Sequence, residues 1–354
     1  MDEKNYTRKI YMVLLFISLI LMGFICKTLS SVLLPVITAI FFSFALLPVI
    51  QFLKNKCKIP WGISTIILVV LIFIILFLTG TLLVSSLSTI VVEYPKYENK
   101  FMSIYKTIAP HLRLEVDEGL SFIENMWKYF KVRDLVQQAA LELSTGAVSL
   151  AKTIFTILLL MVFLLLEIRY TNKKADTAFQ GETKVKVQKI ASNTINEIKQ
   201  FISIKFIVSL ATGILVYFVT FIFGMDFPIV WAFIAFIMNF IPIFGSIISC
   251  VATTLFAMLE FYPNSIGKII AIFILMVVIN FTIGNILEPR IEGKHLGLSP
   301  FIILVSLSVW GYIWGFAGMI FAVPIMVIIK ICCENIDYLN PIAVMLGNDN
   351  SIES

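Results

Sequence analysis

PIVWAFIAFIMNFIPIFGSIISCVATTLFAML, residues 228–259, carries no charged side chain and is longer than one ordinary membrane helix. About 20 apolar residues suffice to cross roughly 30 Å of hydrocarbon. The block is interrupted by Asn239-Phe240-Ile241-Pro242-Ile243-Phe244-Gly245. Proline removes a backbone donor and obstructs the preceding turn, and glycine leaves backbone groups uncovered. In lipid, such a break persists only where protein or a water-filled cavity satisfies the freed groups.

The rest of the chain reads the same way. Of 354 residues, 59% are hydrophobic and 14% charged, against about 25% charged in an average soluble domain. The bilayer is the expected solvent, and the expected roles are transport, sensing, intramembrane cleavage or assembly. The net charge of +5 is modest and gathers in short loops, so nucleic acid is not an expected partner. Cys26, Cys57, Cys250, Cys332 and Cys333 form no CxxC or His-flanked pattern, so no disulfide framework and no zinc site is expected. Lys4, Arg8 and Lys9 before the apolar run Ile10–Ile25 resemble a signal peptide, but no small-residue cleavage site follows. That run is expected to stay as the first span.

Eight spans are expected, making an all-α polytopic membrane protein: 10–26, 29–53, 60–84, 148–168, 204–223, 228–259, 266–287 and 299–331. The chain divides into a three-span segment (1–84), an outer insertion (85–147), a fourth span (148–168), a basic loop (169–203), a four-span transport core (204–331) and a tail (332–354). Short cytoplasmic loops carry excess Lys and Arg. Lys4, Arg8 and Lys9, then Lys54, Lys56 and Lys58, then the eight basic against three acidic residues of 169–205 all point inward. Residues 85–147 hold seven basic and eight acidic residues and suit the outside. Both termini are therefore expected in the cytoplasm. The two polar stretches carry apolar residues at helical spacing: Phe101, Ile104, Tyr105 and Ile108, then Leu120, Ile123, Trp127 and Phe130 outside, and Val187, Ile190, Thr194, Ile198, Phe201 and Lys205 inside.

A second over-long block, 299–331, is interrupted by Trp310-Gly311-Tyr312-Ile313-Trp314-Gly315-Phe316-Ala317-Gly318 and meets Pro324. Two interrupted blocks flanking an ordinary span mark the binding site in many secondary transporters. Close packing of kinked helices is the plainer reading, with Gly311 and Gly315 as a small-residue pair. Block length favours each block crossing once, which puts Glu288 and Arg290 outside; re-entrant hairpins would put them inside. Polar groups gather near both breaks. Ser246, Ser249, Cys250 and Thr253 share a helical face, and Asn280, Gly284 and Glu288 lie within a quarter turn, with Asn285 close by. Asn and Glu facing lipid would be costly, so they must face protein or water.

The run Asn285-Ile286-Leu287-Glu288-Pro289-Arg290-Ile291-Glu292-Gly293-Lys294-His295-Leu296-Gly297-Leu298-Ser299-Pro300, with the two breaks, resembles the autoinducer-2 exporter family of bacterial membrane proteins, the PerM-like permeases. Pro242, Gly245, Pro289, Gly293, Lys294, Leu296, Gly297, Pro300, Gly315, Gly318 and Pro324 match its pattern. Ser246 stands where proline is common and Ser299 where histidine is common, so a histidine role in substrate or proton handling does not carry over. The resemblance implies a multi-pass transporter of the bacterial cytoplasmic membrane, a homo-oligomer with some relatives pentameric. Some relatives export autoinducer-2 and others exchange sodium or lithium for protons.

Two transport chemistries suit these residues. A small polar solute needs hydroxyls, amides and exposed backbone: Asn239, Pro242, Gly245, Ser246, Ser249, Thr253, Asn280, Asn285, Ser299, Gly315 and Gly318 supply them. Exchange of a monovalent cation for a proton needs a carboxylate, and Glu288 beside the Pro289 break is the candidate, with Arg290 as its expected ion-pair partner; Asp226 reads as a turn residue. Alternating access is expected, with the two interrupted blocks moving together against the first spans. No cofactor, metal or catalytic residue is expected. His111 and His295 form no HExxH, Gly245-Ser246 lacks the histidine of a membrane serine protease, and no Walker loop occurs. A structural membrane protein without transport is the third reading.

Overall fold

A computed structural model describes residues 2–92, 100, 149–168, 170, 177, 181–292, 297–336 and 338–347. The helical stripes expected at 101–130, and Gly293, Lys294, His295 and Leu296 of the family pattern, lie outside the described residues. The described chain is helical and its one β-bridge pairs Leu298 with Gly347. In order come α1 (Asp2–Thr28), α2 (Ser30–Lys56), α3 (Trp61–Val92) and α4 (Ser149–Ile168). They are followed by α5 (Gly181–Ile222), α6 (Pro228–Met238), α7 (Phe244–Phe261) and α8 (Ile266–Phe281). A π-helical turn (Thr282–Leu287) leads into α9 (Glu288–Glu292), and α10 (Pro300–Glu334) and α11 (Asn340–Leu346) complete the order. Among the described residues, seven helices are long and apolar enough to cross a membrane. Large apolar side chains stand on their outward faces: Phe73, Phe77, Phe155, Phe163, Phe218 and Phe221 are all exposed, as residues facing lipid are.

The chain forms two compact units. One contains residues 1–69, 155–202 and 294–354, and the other 70–154 and 203–293. The interrupted blocks fall in different units.

In the second unit the block 228–259 is a helical hairpin. Pro228 opens α6 at a position where its missing N–H costs nothing, and the helix ends after 11 residues, about 16 Å of rise. Helix α7 then runs back along α6. Trp231 stacks near Phe256 with ring centroids 4.9 Å apart, Ala235 and Cys250 share a buried cluster, and Gly245 lies against the Met238 carbonyl. A Cβ at Gly245 would overlap that backbone oxygen, so only glycine allows the legs to meet this tightly. Between them Ile243 has φ 66° and ψ −62°, and the Phe244 N–H donates to the Pro242 carbonyl at 2.7 Å, which closes a γ-turn of the rare, strained hand.

Block 299–331 folds back as well. Extended Ser299 precedes Pro300 at the start of α10. At Gly315 (φ 62°, ψ −140°) the helix breaks in a conformation that only glycine adopts readily. The Ser306 hydroxyl donates to the Ala322 carbonyl at 3.0 Å, and Gly318 lies against the Trp310 carbonyl. In a straight helix Ser306 and Ala322 would be about 24 Å apart.

These folds overturn the single-crossing expectation. If 228–259 crossed once, Phe223 and Lys268 would stand at opposite ends of the bundle, as would Lys205 and Glu288. Instead the Lys268 ammonium donates to the Phe223 carbonyl at 3.1 Å, and Lys205 pairs with Glu288. Lys100 donates to the Glu260 carbonyl, and the Asp226 amide donates to the Glu260 carboxylate at 2.9 Å. The base of the first hairpin therefore sits with the C-terminal end of α5, and its tip points toward the Lys205 end.

The second hairpin, in the first unit, is closed at its base by Lys330 donating to the Gly297 carbonyl at 2.9 Å and by the Ser299 amide donating to the Leu346 carbonyl at 3.0 Å. Its tip reaches the C-terminal end of α1. The Trp314 indole donates to the Cys26 carbonyl at 2.9 Å, and the Lys27 ammonium lies 3.9 Å from the Tyr312 ring centroid.

Candidate functional site

A cavity of about 520 Å³ opens in the second unit where the first hairpin bends. Helix α5 contributes Lys205. The bend contributes Asn239, Pro242 and Ile243, and the first turns of α7 contribute Ser246 and Cys250. Opposite them stand Asn280 at the end of α8, Gly284 and Asn285 in the π-helical turn, and Glu288 with Pro289 at the start of α9. The sequence makes this opening in two ways. On one wall, Pro242 and the γ-turn at Ile243 interrupt the helical ladder. On the other, the Glu288 amide reaches back to the Ile283 carbonyl, one residue further than in an α-helix. The widened turn tilts its side chains out of the α-helical register, a device found often at functional sites.

The polar groups of the cavity differ in how they are held. Asn239 is buried and its amide donates to the Ser209 hydroxyl on α5 at 3.1 Å, which pins the bend to the long helix. The Asn280 side-chain nitrogen is shielded from solvent and has no hydrogen-bond partner within the protein, and an unmet buried donor costs about 1–3 kcal/mol. Lys205 and Glu288 make an ion pair, with side chains only 4% and 14% exposed. Removing either member of such a pair leaves a charge stranded, a loss of about 3–5 kcal/mol.

Of the sequence-selected residues, the structure brings Asn239, Pro242, Ser246, Asn280, Asn285 and Glu288 to this one cavity. Gly245 forms the close contact behind the bend. Ser249 and Thr253 turn into the packed side of α7, where the Ser249 hydroxyl donates to the Ser246 carbonyl at 3.1 Å. Arg290 is exposed and is not the partner of Glu288. Ser299, Gly315 and Gly318 belong to the second hairpin, in the other unit. Lys205 was read only as part of a surface stripe. The signal that could have singled it out was its place where the polar stretch gives way to an apolar span, since a charge entering a span needs a partner.

Residues 12–337 match the sequence model of the AI-2E family transporter. The chain belongs to the AI-2E transporter family. It is similar to a chain of Borreliella burgdorferi described as a transport protein, 31% identical over 93% of this chain and 88% of that one. It is similar also to the AI-2 transport protein TqsA of Escherichia coli, 28% identical over 91% of each chain. The Escherichia coli transport protein YhhT is 26% identical over 90% of this chain and 88% of its own length. As an AI-2E family member with, among the described residues, seven helices of a length and composition that can cross a membrane, the chain is a multi-pass membrane transport protein.

Proposed function

We propose that this transporter moves a small polar solute of the autoinducer-2 kind out across the bacterial cytoplasmic membrane, and that the solute binds in the cavity at the bend of the first hairpin. The observation that carries this reading is a cavity of about 520 Å³ at the bend in which the side chains of Asn239, Ser246, Asn280 and Asn285 meet among apolar residues, a size within the usual range for small-molecule sites. The Escherichia coli relative named as an AI-2 transport protein supports the choice of solute. The lining holds one positive and one negative side chain, paired with each other, so its chemistry suits a neutral molecule. The basic surplus at the N-terminus, at Lys54, Lys56 and Lys58 and in 169–205 supports cytoplasmic termini. On that orientation the first hairpin enters from outside. Assembly as a homo-oligomer, a pentamer as in some relatives, is part of the same proposal.

The test is flux of labelled autoinducer-2 in liposomes carrying the purified protein. Flux above that of empty liposomes, reduced about tenfold in Asn280→Leu with folding intact, is the expected result. Flux equal to empty liposomes, or unchanged by Asn280→Leu, contradicts it.

A further inference from the structure

The Glu288 carboxylate is met by Lys205, 83 residues earlier in the chain and on a different helix. The pair stands in a cavity whose other lining residues are amides, a hydroxyl, a thiol and apolar groups, with no further charge. Well-packed apolar residues in place of a buried ion pair are often as stable or more so, so packing alone gives little reason for these two charges. Without Lys205, the lining would offer a carboxylate, the amides of Asn280 and Asn285 and the Ser246 hydroxyl, an oxygen-rich set of the kind that binds hard cations. With Lys205 present, the strongest of those ligands is taken and an arriving cation meets a fixed positive charge.

We propose that Lys205 sets the charge selectivity of the cavity, its ammonium occupying the Glu288 carboxylate as a tethered counter-ion so that neutral polar solutes enter and free monovalent cations do not. The inference rests on the reading of the cavity as the transport site. It makes Lys205 a specificity-determining residue, and it implies that one substitution turns a polar-solute cavity into a sodium site.

Binding of radioactive sodium to purified protein in detergent tests this. The wild-type chain is expected to show no saturable binding. Lys205→Met, which keeps the side-chain length and drops the charge, is expected to bind sodium at least about tenfold more tightly. The double variant Lys205→Met with Glu288→Gln is expected to lose that binding. Wild-type binding as tight as that of the single variant overturns the proposal, as does a folded single variant that gains nothing. If Lys205→Met folds poorly, recovery of folded protein in sodium chloride but not choline chloride supports the proposal, and equal behaviour in the two salts overturns it. Solute flux is not read here, so a wild-type protein that fails to move autoinducer-2 would remove the transport reading while leaving the sodium result to stand on its own.

Discussion

One glycine and one isoleucine decide how tightly the first hairpin turns. Gly245 has the Met238 carbonyl where a Cβ would be, whereas Gly267 on α8 has nothing within 4 Å of that position. Gly245→Ala must therefore push two helix legs apart, a loss of about 1–3 kcal/mol. Gly267→Ala should gain up to about 1 kcal/mol from helix propensity. Thermal unfolding in detergent reads both, and equal effects would contradict the close approach. Ile243 is 54% exposed and holds φ 66°. Ile243→Gly releases strain of about 1–3 kcal/mol against about 0.5–1 kcal/mol of added chain entropy, so a higher melting temperature is expected. The glycine at 245 was visible in the sequence as a break, but the carbonyl it touches was not. A kink and a fold-back both need Pro and Gly, and what separates them is a contact between residues seven or more positions apart. Glu288 teaches the same thing by another route. Residues two apart on a helix do not face each other, so Arg290 was poorly placed to be its partner, and the true partner came from a helix that local spacing could not connect to it.

Each hairpin is an element with two legs, and a cross-leg hydrogen bond reports whether the legs are together. Ser306 is buried and donates across its hairpin to Ala322, while exposed Ser308 donates only within its own leg, to Leu304. Ser306→Ala should lower stability by about 1 kcal/mol, and Ser308→Ala should leave it nearly unchanged. Equal melting temperatures for the two variants would mean that the fold-back contributes nothing. At this scale the apolar blocks, their excess length and their breaks were all readable, because hydrophobic length and Pro and Gly placement are local properties. Block length pointed toward single crossings because it was compared with a straight helix, and α6 is far shorter than that comparison assumes.

For the whole molecule, the hairpins determine which side of the membrane the loop after Glu288 occupies. Lys205 and Glu288 share one end of the second unit, and Phe223 and Lys268 share the other. On the proposed orientation, which puts 169–205 in the cytoplasm, exposed Arg290 is cytoplasmic too. Arg290→Cys, in a chain whose five native cysteines are replaced, should react with a membrane-impermeant maleimide in everted vesicles and not in intact cells. The reverse pattern would restore single crossings. The division into two units was not legible from the sequence, since each unit draws on three or two separated stretches of chain held together by long-range packing. The clusters that make them, Phe201 with Leu298 and Val327 in one, Val208 with Ile279 in the other, join residues that no local pattern relates.

The proposed transport function requires water in the cavity at the bend of the first hairpin, and Ser246, which lines it, is the residue that tests this most directly. Ser246→Cys, in the same cysteine-replaced chain, should react readily with a small charged methanethiosulfonate reagent and should be protected by autoinducer-2. A thiol that reacts only with membrane-soluble reagents, with or without solute, would show a dry bend and contradict the account.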